Sequence, residues 1–161
     1  NEPIVIHIVG GGTDLDRIRE LAKECRNVVF YGRKSLEEMP NFYAMADAML
    51  VTLKADPILS LTLPGKVQSY MAVGKPIIGA IDGETRNVIE DAKCGFCGSA
   101  ENVNELVENI KKFINTDEKV LMGKNARMYY ENNFEKKIFM DKLEKYFDEE
   151  NTKNHKLKVT D

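Results

Sequence analysis

The sequence predicts an α/β protein: a Rossmann-like parallel sheet flanked by helices, with extra helices at its C-terminal end. Three observations carry this. Short apolar runs recur at residues 3–9, 27–31, 48–53 and 76–81, with helix-period segments between them. The first run, Pro3-Ile4-Val5-Ile6-His7-Ile8-Val9, is almost continuously apolar, as in a parallel strand covered on both faces. Beyond residue 98 the alternation stops and only helical periodicity remains.

Taken in order, Gly10-Gly11-Gly12 leads from the first strand into a helix. Thr13 with Asp16 reads as its capping pair, and Leu15, Ile18, Leu21, Ala22 and Cys25 as its buried stripe. A second strand covers 27–31. Ser35 with Glu38 forms another capping-box pattern, opening a helix that carries Leu36, Phe42 and Ala46, with Pro40 in its first turns. A third strand covers 48–53, and a loop with Asp56-Pro57 follows.

The best-marked stretch is residues 63–78. Pro64 suits a first helical turn, because its φ is already helical and its missing N–H would have no partner there. Gly74 reads as a C-cap and Pro76 as a stop, so a helix is expected over 64–73, with Val67, Tyr70 and Met71 facing a core. A fourth strand over 76–81, a short helix over 83–92 and a short fifth strand over 95–98 complete the alternation. Val103, Leu106, Val107, Ile110, Phe113 and Ile114 then keep clean three-four spacing. Further helices are expected over 117–132 and 134–149, and residues 151–161 read as a disordered polar tail.

Composition narrows the function. At 161 residues, 43% hydrophobic and 30% charged, the chain can bury a core as one domain. A net charge of −3 gives no basic footprint for nucleic acid. No apolar run approaches the ~20 residues that span a bilayer, and no signal peptide is expected. Three cysteines argue against a disulfide scaffold and for a reducing, cytoplasmic setting. The chain opens almost at once on a buried strand, so it is expected to be a piece of something larger.

Ligands of open α/β sheets bind beyond the carboxyl ends of the strands. The loops leaving the strands are 10–13, 32–35, 54–63 and 82–85, each glycine-rich or polar. The start of the 64–73 helix offers unpaired N–H groups and a positive dipole end, a seat for phosphate. Lys66 adds a mobile positive charge there, and Gly65 allows close approach to the backbone.

The same residues carry a resemblance. Pro64-Gly65-Lys66, then Ser69-Tyr70-Met71-Ala72 and Gly74-Lys75-Pro76-Ile77, resemble the donor-binding half of GT-B glycosyltransferases of the group 1 (family 4) type. Val9-Gly10-Gly11-Gly12, Val29-Phe30-Tyr31-Gly32, Tyr43-Ala44-Met45-Ala46-Asp47-Ala48, Gly83-Glu84 and Val88-Ile89-Glu90 extend it, in the family's order, over residues 4–114. The resemblance implies the C-terminal half of a GT-B fold, with residues 1–150 binding a nucleotide sugar. The N-terminal acceptor domain, and the donor domain's first strand and helix, would then lie outside these residues.

By position, the backbone of Thr62, Leu63, Pro64, Gly65 and Lys66 would cradle the diphosphate, and Lys66 would pair with it, the one catalytic part assigned to this chain. Arg33, Lys34 and Ser35 would lie against the nucleobase, Ser69 near the ribose, and Gly11 and Gly12 in the donor loops. Glu84, at a helix start on the ligand edge, is a candidate for a sugar hydroxyl. The chain departs from the pattern at Leu61 and Ser69, where the family commonly has two glutamates eight positions apart. A serine cannot clamp two ribose hydroxyls as a carboxylate does.

The implied activity is transfer, with retention, of a hexose-type unit from a UDP-linked sugar to a glycan or lipid-linked acceptor in surface polysaccharide or glycoconjugate synthesis. No metal or other cofactor is implied. The acceptor would be held by the absent domain, the full-length protein would sit at the inner membrane face, and this fragment alone would not turn over. An alternative is a nucleotide-binding regulatory module without transferase chemistry.

Plainer readings stand beside these. Lys66 could be a solvated lysine. Gly10–Gly12 lacks the third glycine of a dinucleotide fingerprint, and no acidic residue ends the second strand, which argues against a nicotinamide cofactor. Cys94 and Cys97 have redox spacing, but they straddle a short strand and read better as buried structural thiols. His7 reads as a core histidine, Glu84 and Asp82 as candidate turn and cap residues, and Lys111, Lys112 and residues 144–150 as solvated helix faces.

Overall fold

The computed structural model describes the backbone of residues 4–158 and side chains through Asp148; residues 1–3, with the Pro3 that opens the first apolar run, and residues 159–161 of the expected tail lie outside the described residues. Five strands and eight helices follow in the order β1 (Ile6–Val9), α1 (Leu15–Leu21), β2 (Val28–Gly32), α2 (Met39–Met45), β3 (Met49–Thr52), α3 (Pro57–Ser60), α4 (Gly65–Ala72), β4 (Ile77–Ala80), α5 (Glu84–Asp91), β5 (Gly95–Gly98), α6 (Val103–Asn115), α7 (Lys119–Asn133) and α8 (Lys136–Lys158). The chain divides into two compact units, residues 1–45 and 46–161. All pairing is parallel, as the apolar runs predict, but it forms two sheets: β1-β2 in the first unit and β3-β4-β5 in the second.

In the second unit the sheet is covered on both faces. Successive strand residues point to opposite sides. Ile77 therefore joins Val51, Val67, Met71, Val88, Ile89 and Ala126 in one core, contributed by β3, α4, α5 and α7. Its neighbour Ile78 joins Phe113 and Met122 in the other, with Phe96, Leu106 and Ile110 packed against them. Helix α7 thus feeds both cores, Met122 the one and Ala126, a turn later on the same side of the helix, the other. Two glycines permit this. A Cβ on Gly123 would lie 2.5 Å from the carbonyl oxygen of Gly74, so α7 rests directly on the turn between α4 and β4. Gly74 has φ 67, the left-handed geometry that ends a helix most cheaply at glycine.

Several local expectations change. Helix α4 starts at Gly65 with Pro64 as its N-cap, in extended geometry. Asp56 caps an additional short helix, its carboxylate accepting from the N–H groups of Ile58 and Leu59. Thr13 caps nothing. Asp14 is the N-cap of α1 and makes no side-chain cap bond. The expected buried stripe of α1 is not buried in this two-stranded unit: Ile18 is 37% and Leu21 70% exposed. His7 is not a core histidine either. It sits on the exposed side of β1, stacked on Tyr31 with Nδ1 3.0 Å from the phenol oxygen. The alternation of β1 buries Ile6 and Ile8 partly and sends His7 outward. Helix α8 runs on to Lys158, eight residues into the stretch expected as a disordered tail.

The two cores predict an uneven mutational response. Met71→Ala, fully buried, is expected to cost about 2–5 kcal/mol. Val103→Ala, 70% exposed, is expected to stay within about 0.5 kcal/mol. Chemical denaturation of the two variants beside the parent chain checks the contrast.

Candidate functional site

The second unit places Thr62, Leu63, Pro64, Gly65, Lys66, Ser69 and Glu84 on the loops and helix starts that leave β3 and β4. The loop before α4 is held by two contacts from the segment after β4. Gly83, at φ 67, packs so closely on Ser60 that a Cβ would fall 2.1 Å from its carbonyl oxygen. Thr85 is fully buried, and its hydroxyl donates to the carbonyl of Thr62 at 2.8 Å. Sequence reasoning missed Thr85. Its signal was Gly83-Glu84-Thr85 at a helix start, where a threonine is an ordinary capping residue.

This clamp sets the start of α4. The Val67 N–H bonds back to the Pro64 carbonyl at 2.9 Å, while those of Gly65 and Lys66 have no acceptor within the helix. Gly65 and Lys66 are exposed, and nothing lies within 4 Å of where a Gly65 Cβ would be. The helix start is therefore open to a ligand, and the Lys66 ammonium stands in the same turn. Ser69, one turn on, donates its hydroxyl to the Gly65 carbonyl at 3.1 Å, so its remaining capacity is as an acceptor. Leu61 is 81% exposed. Glu84 is exposed in the first turn of α5, where the helix dipole favours its charge.

The first unit brings together Gly11, Gly12, Arg33, Lys34 and Ser35 at the carboxyl ends of β1 and β2. The Gly10 N–H donates to the Gly32 carbonyl at 2.8 Å, which joins the two loops. The Arg33 side chain lies over Gly11, with Cγ and Nε 3.2 Å from where a Cβ would stand. Gly12 faces open space. Lys34 pairs with Glu38 at 3.2 Å, and the Ser35 N–H donates to the same carboxylate at 3.0 Å. These two partners, the Ser35 N–H first, hold the Glu38 carboxyl below its ordinary value. This is half of the capping box expected there, closing a turn ahead of α2.

The cysteines do not form a redox site. Cys94 is fully buried and its thiol contacts the Ile89 carbonyl at 3.6 Å. Burial, the main cause, pushes both Cys94 and Cys97 up to about 12, far from the thiolate character such chemistry needs. Among the described residues, no three His, Cys, Asp or Glu side chains are grouped to hold a metal ion. No helix among them is long and apolar enough to cross a membrane.

With this geometry in place, the comparisons fix the class. The family model for "Glycosyl transferases group 1" matches residues 1–135, so the chain belongs to that family. The fold is that of GT-B glycosyltransferases. The chain is 26% identical over 127 residues to a GDP-mannose-dependent alpha-(1-6)-phosphatidylinositol monomannoside mannosyltransferase of Mycobacterium tuberculosis, covering 74% of this chain and 33% of that protein. It thus spans about a third of the length of the curated relatives it matches. It is also similar to WaaG, a glycosyltransferase involved in lipopolysaccharide biosynthesis, with TM-score 0.63 and 20% identity over 81% of this chain and 34% of that one. A variant of S. aureus TarM, in complex with Fondaparinux, alpha-GlcNAc-glycerol and UDP, gives TM-score 0.72 and 19% identity over 89% of this chain and 29% of that one.

The buried Cys94 thiol and the half-buried Cys97 thiol give a pH prediction. They hold their protons more tightly folded than unfolded, so the stability they contribute is complete below the unfolded value of 9 and is lost as pH rises toward about 12. In the native chain a thiol reagent is expected to modify exposed Cys25 first, half-buried Cys97 more slowly, and buried Cys94 only on unfolding. Mass spectrometry of partly labelled protein reads this directly.

Proposed function

We propose that this chain is the donor-binding part of a sugar transferase, holding a nucleotide diphosphate sugar with its diphosphate at the start of α4. The observation that carries the reading is the clamped loop ahead of α4, which leaves the Gly65 and Lys66 N–H groups unpaired beside the Lys66 ammonium. Such a group of donors binds phosphate in the ground state and stabilises charge growing on a departing diphosphate. It needs no metal or other cofactor for that task.

In this reading the donor is UDP-linked and the transferase is a retaining enzyme. The acceptor is a glycan or a lipid-linked sugar held by residues outside these 161, and the whole protein works at the cytoplasmic membrane face in surface polysaccharide or glycoconjugate synthesis. Residues 1–150 act as one nucleotide-sugar-binding domain. Arg33, Lys34 and Ser35 face the base, and Gly11 and Gly12 complete the donor loops. Glu84 takes a sugar hydroxyl. Ser69 takes one ribose hydroxyl as an acceptor, since its own proton goes to the Gly65 carbonyl. The chain alone binds the donor without turning it over.

A nucleotide-binding module without transferase chemistry is the second reading. It is favoured by the absence of a carboxylate at Leu61 and Ser69.

Calorimetric titration with UDP, GDP and ADP tests the proposal. UDP is expected to bind, and Lys66→Ala to weaken it about 10- to 100-fold, the worth of a charge-assisted contact. Equal binding of UDP by the parent and the variant would overturn the assignment, as would no binding of any of the three.

A further inference from the structure

The opposite, amino-terminal edge of the second unit's sheet carries a cleft of about 420 Å³ that the donor reading does not use. Ala46 and Asp47 line it ahead of β3, Gly74, Lys75 and Pro76 ahead of β4, and Lys119, Val120, Gly123, Lys124 and Arg127 on α7. Four cationic side chains thus surround one concavity in a chain whose net charge is −3. The cleft exists because Gly123 and Gly74 let α7 rest on the α4–β4 turn, which sets the basic residues of α7 beside Lys75.

The manner in which these cations are held is informative. The Lys75 ammonium donates to the Ala46 carbonyl at 2.7 Å and that of Lys119 to the Ile114 carbonyl at 2.8 Å. Arg127 donates one terminal nitrogen to the Ala72 carbonyl and its Nε to Glu131 at 2.7 Å. Lys75 and Lys119 are thus each oriented by a neutral carbonyl, and Arg127 is shared between a carbonyl and the Glu131 carboxylate. Lys124 is exposed, and Asp47 is the one carboxylate in the lining. A concave wall of like charge focuses positive potential into the cleft.

We propose that this cleft is an anion site for a phosphate-bearing ligand, separate from the donor site. It opens at the other end of α4 from Gly65 and Lys66, so occupation of one does not block the other. Lys124 makes the movable contact, and Lys119 adds a second ammonium at the start of α7. Lys75 and Arg127, fastened to backbone carbonyls, form the wall of the cleft.

Calorimetry with inorganic pyrophosphate, on the parent chain, Lys66→Ala and Lys119→Ala/Lys124→Ala, tests this. Lys66→Ala removes the donor-site lysine, so binding that survives in it belongs elsewhere. That binding is expected to fall about tenfold or more in the double variant. Lys124→Glu, an exposed position that leaves every tethered cation intact, is expected to weaken it as well. Co-sedimentation with phosphatidylcholine vesicles, with and without phosphatidic acid, separates the sources. Binding of pyrophosphate alone assigns a free phosphate, and added binding to acidic vesicles that the double variant loses assigns a lipid phosphate. Pyrophosphate and vesicle binding unchanged in both cleft variants, or absent from Lys66→Ala, would overturn the proposal.

Discussion

The contact on which the site depends is the clamp between the segment after β4 and the loop before α4. Gly83 touches the backbone of Ser60 where no larger residue fits, and buried Thr85 holds the Thr62 carbonyl. Their work is to fix the chain at Thr62, so that Pro64 can cap α4 in extended geometry and the next two N–H groups face outward. Without that restraint the loop would be free to satisfy these donors itself, and the open helix start would be lost. The polar groups of the site are thus placed by a threonine in the apolar core and a glycine at positive φ.

A second glycine contact organises the other end of the same helix. Gly74 and Gly123 let α7 pass close enough to contribute Met122 to one core and Ala126 to the other. Helix α4 is then held at its start by Thr85 and Gly83 through the loop, and at its end by α7. Its fully buried Val67 and Met71 supply the packing between these points. The two ends differ in chemistry: the start presents unpaired donors, and the end is ringed by cations tied to carbonyls.

Much of this was legible in the sequence because the signals were strong and local. The apolar runs placed the first four strands, a short fifth was read over 95–98, and Gly74 with Pro76 marked the end of α4. Helix-end chemistry marked Lys66 as a candidate phosphate partner, and the family resemblance extended the candidate seat to its loop. What was not legible depended on tertiary context. Thr85 reads locally as a capping residue, and only the approach of Thr62 gives its hydroxyl another partner. The stripe of α1 and the strand position of His7 both suggest burial, yet the two-stranded unit lacks the apolar surface to cover them. Thr13 and Asp16 match a capping box by spacing, while the backbone turns into α1 one residue later. The Cys94–Cys97 spacing is shared by redox sites, and the burial of Cys94 with the raised thiol values of both decides against one. The basic cleft has no sequence signature, since Lys75 and the lysines of α7 are more than forty residues apart.

The most direct test of the account is amide chemical-shift mapping of the chain with UDP. The clamped helix start predicts that the Gly65 and Lys66 amides move first and farthest, with Val67 and Thr62 following and the core amides of β4 unchanged. Saturable shifts that leave Gly65 and Lys66 still and cluster elsewhere would contradict it.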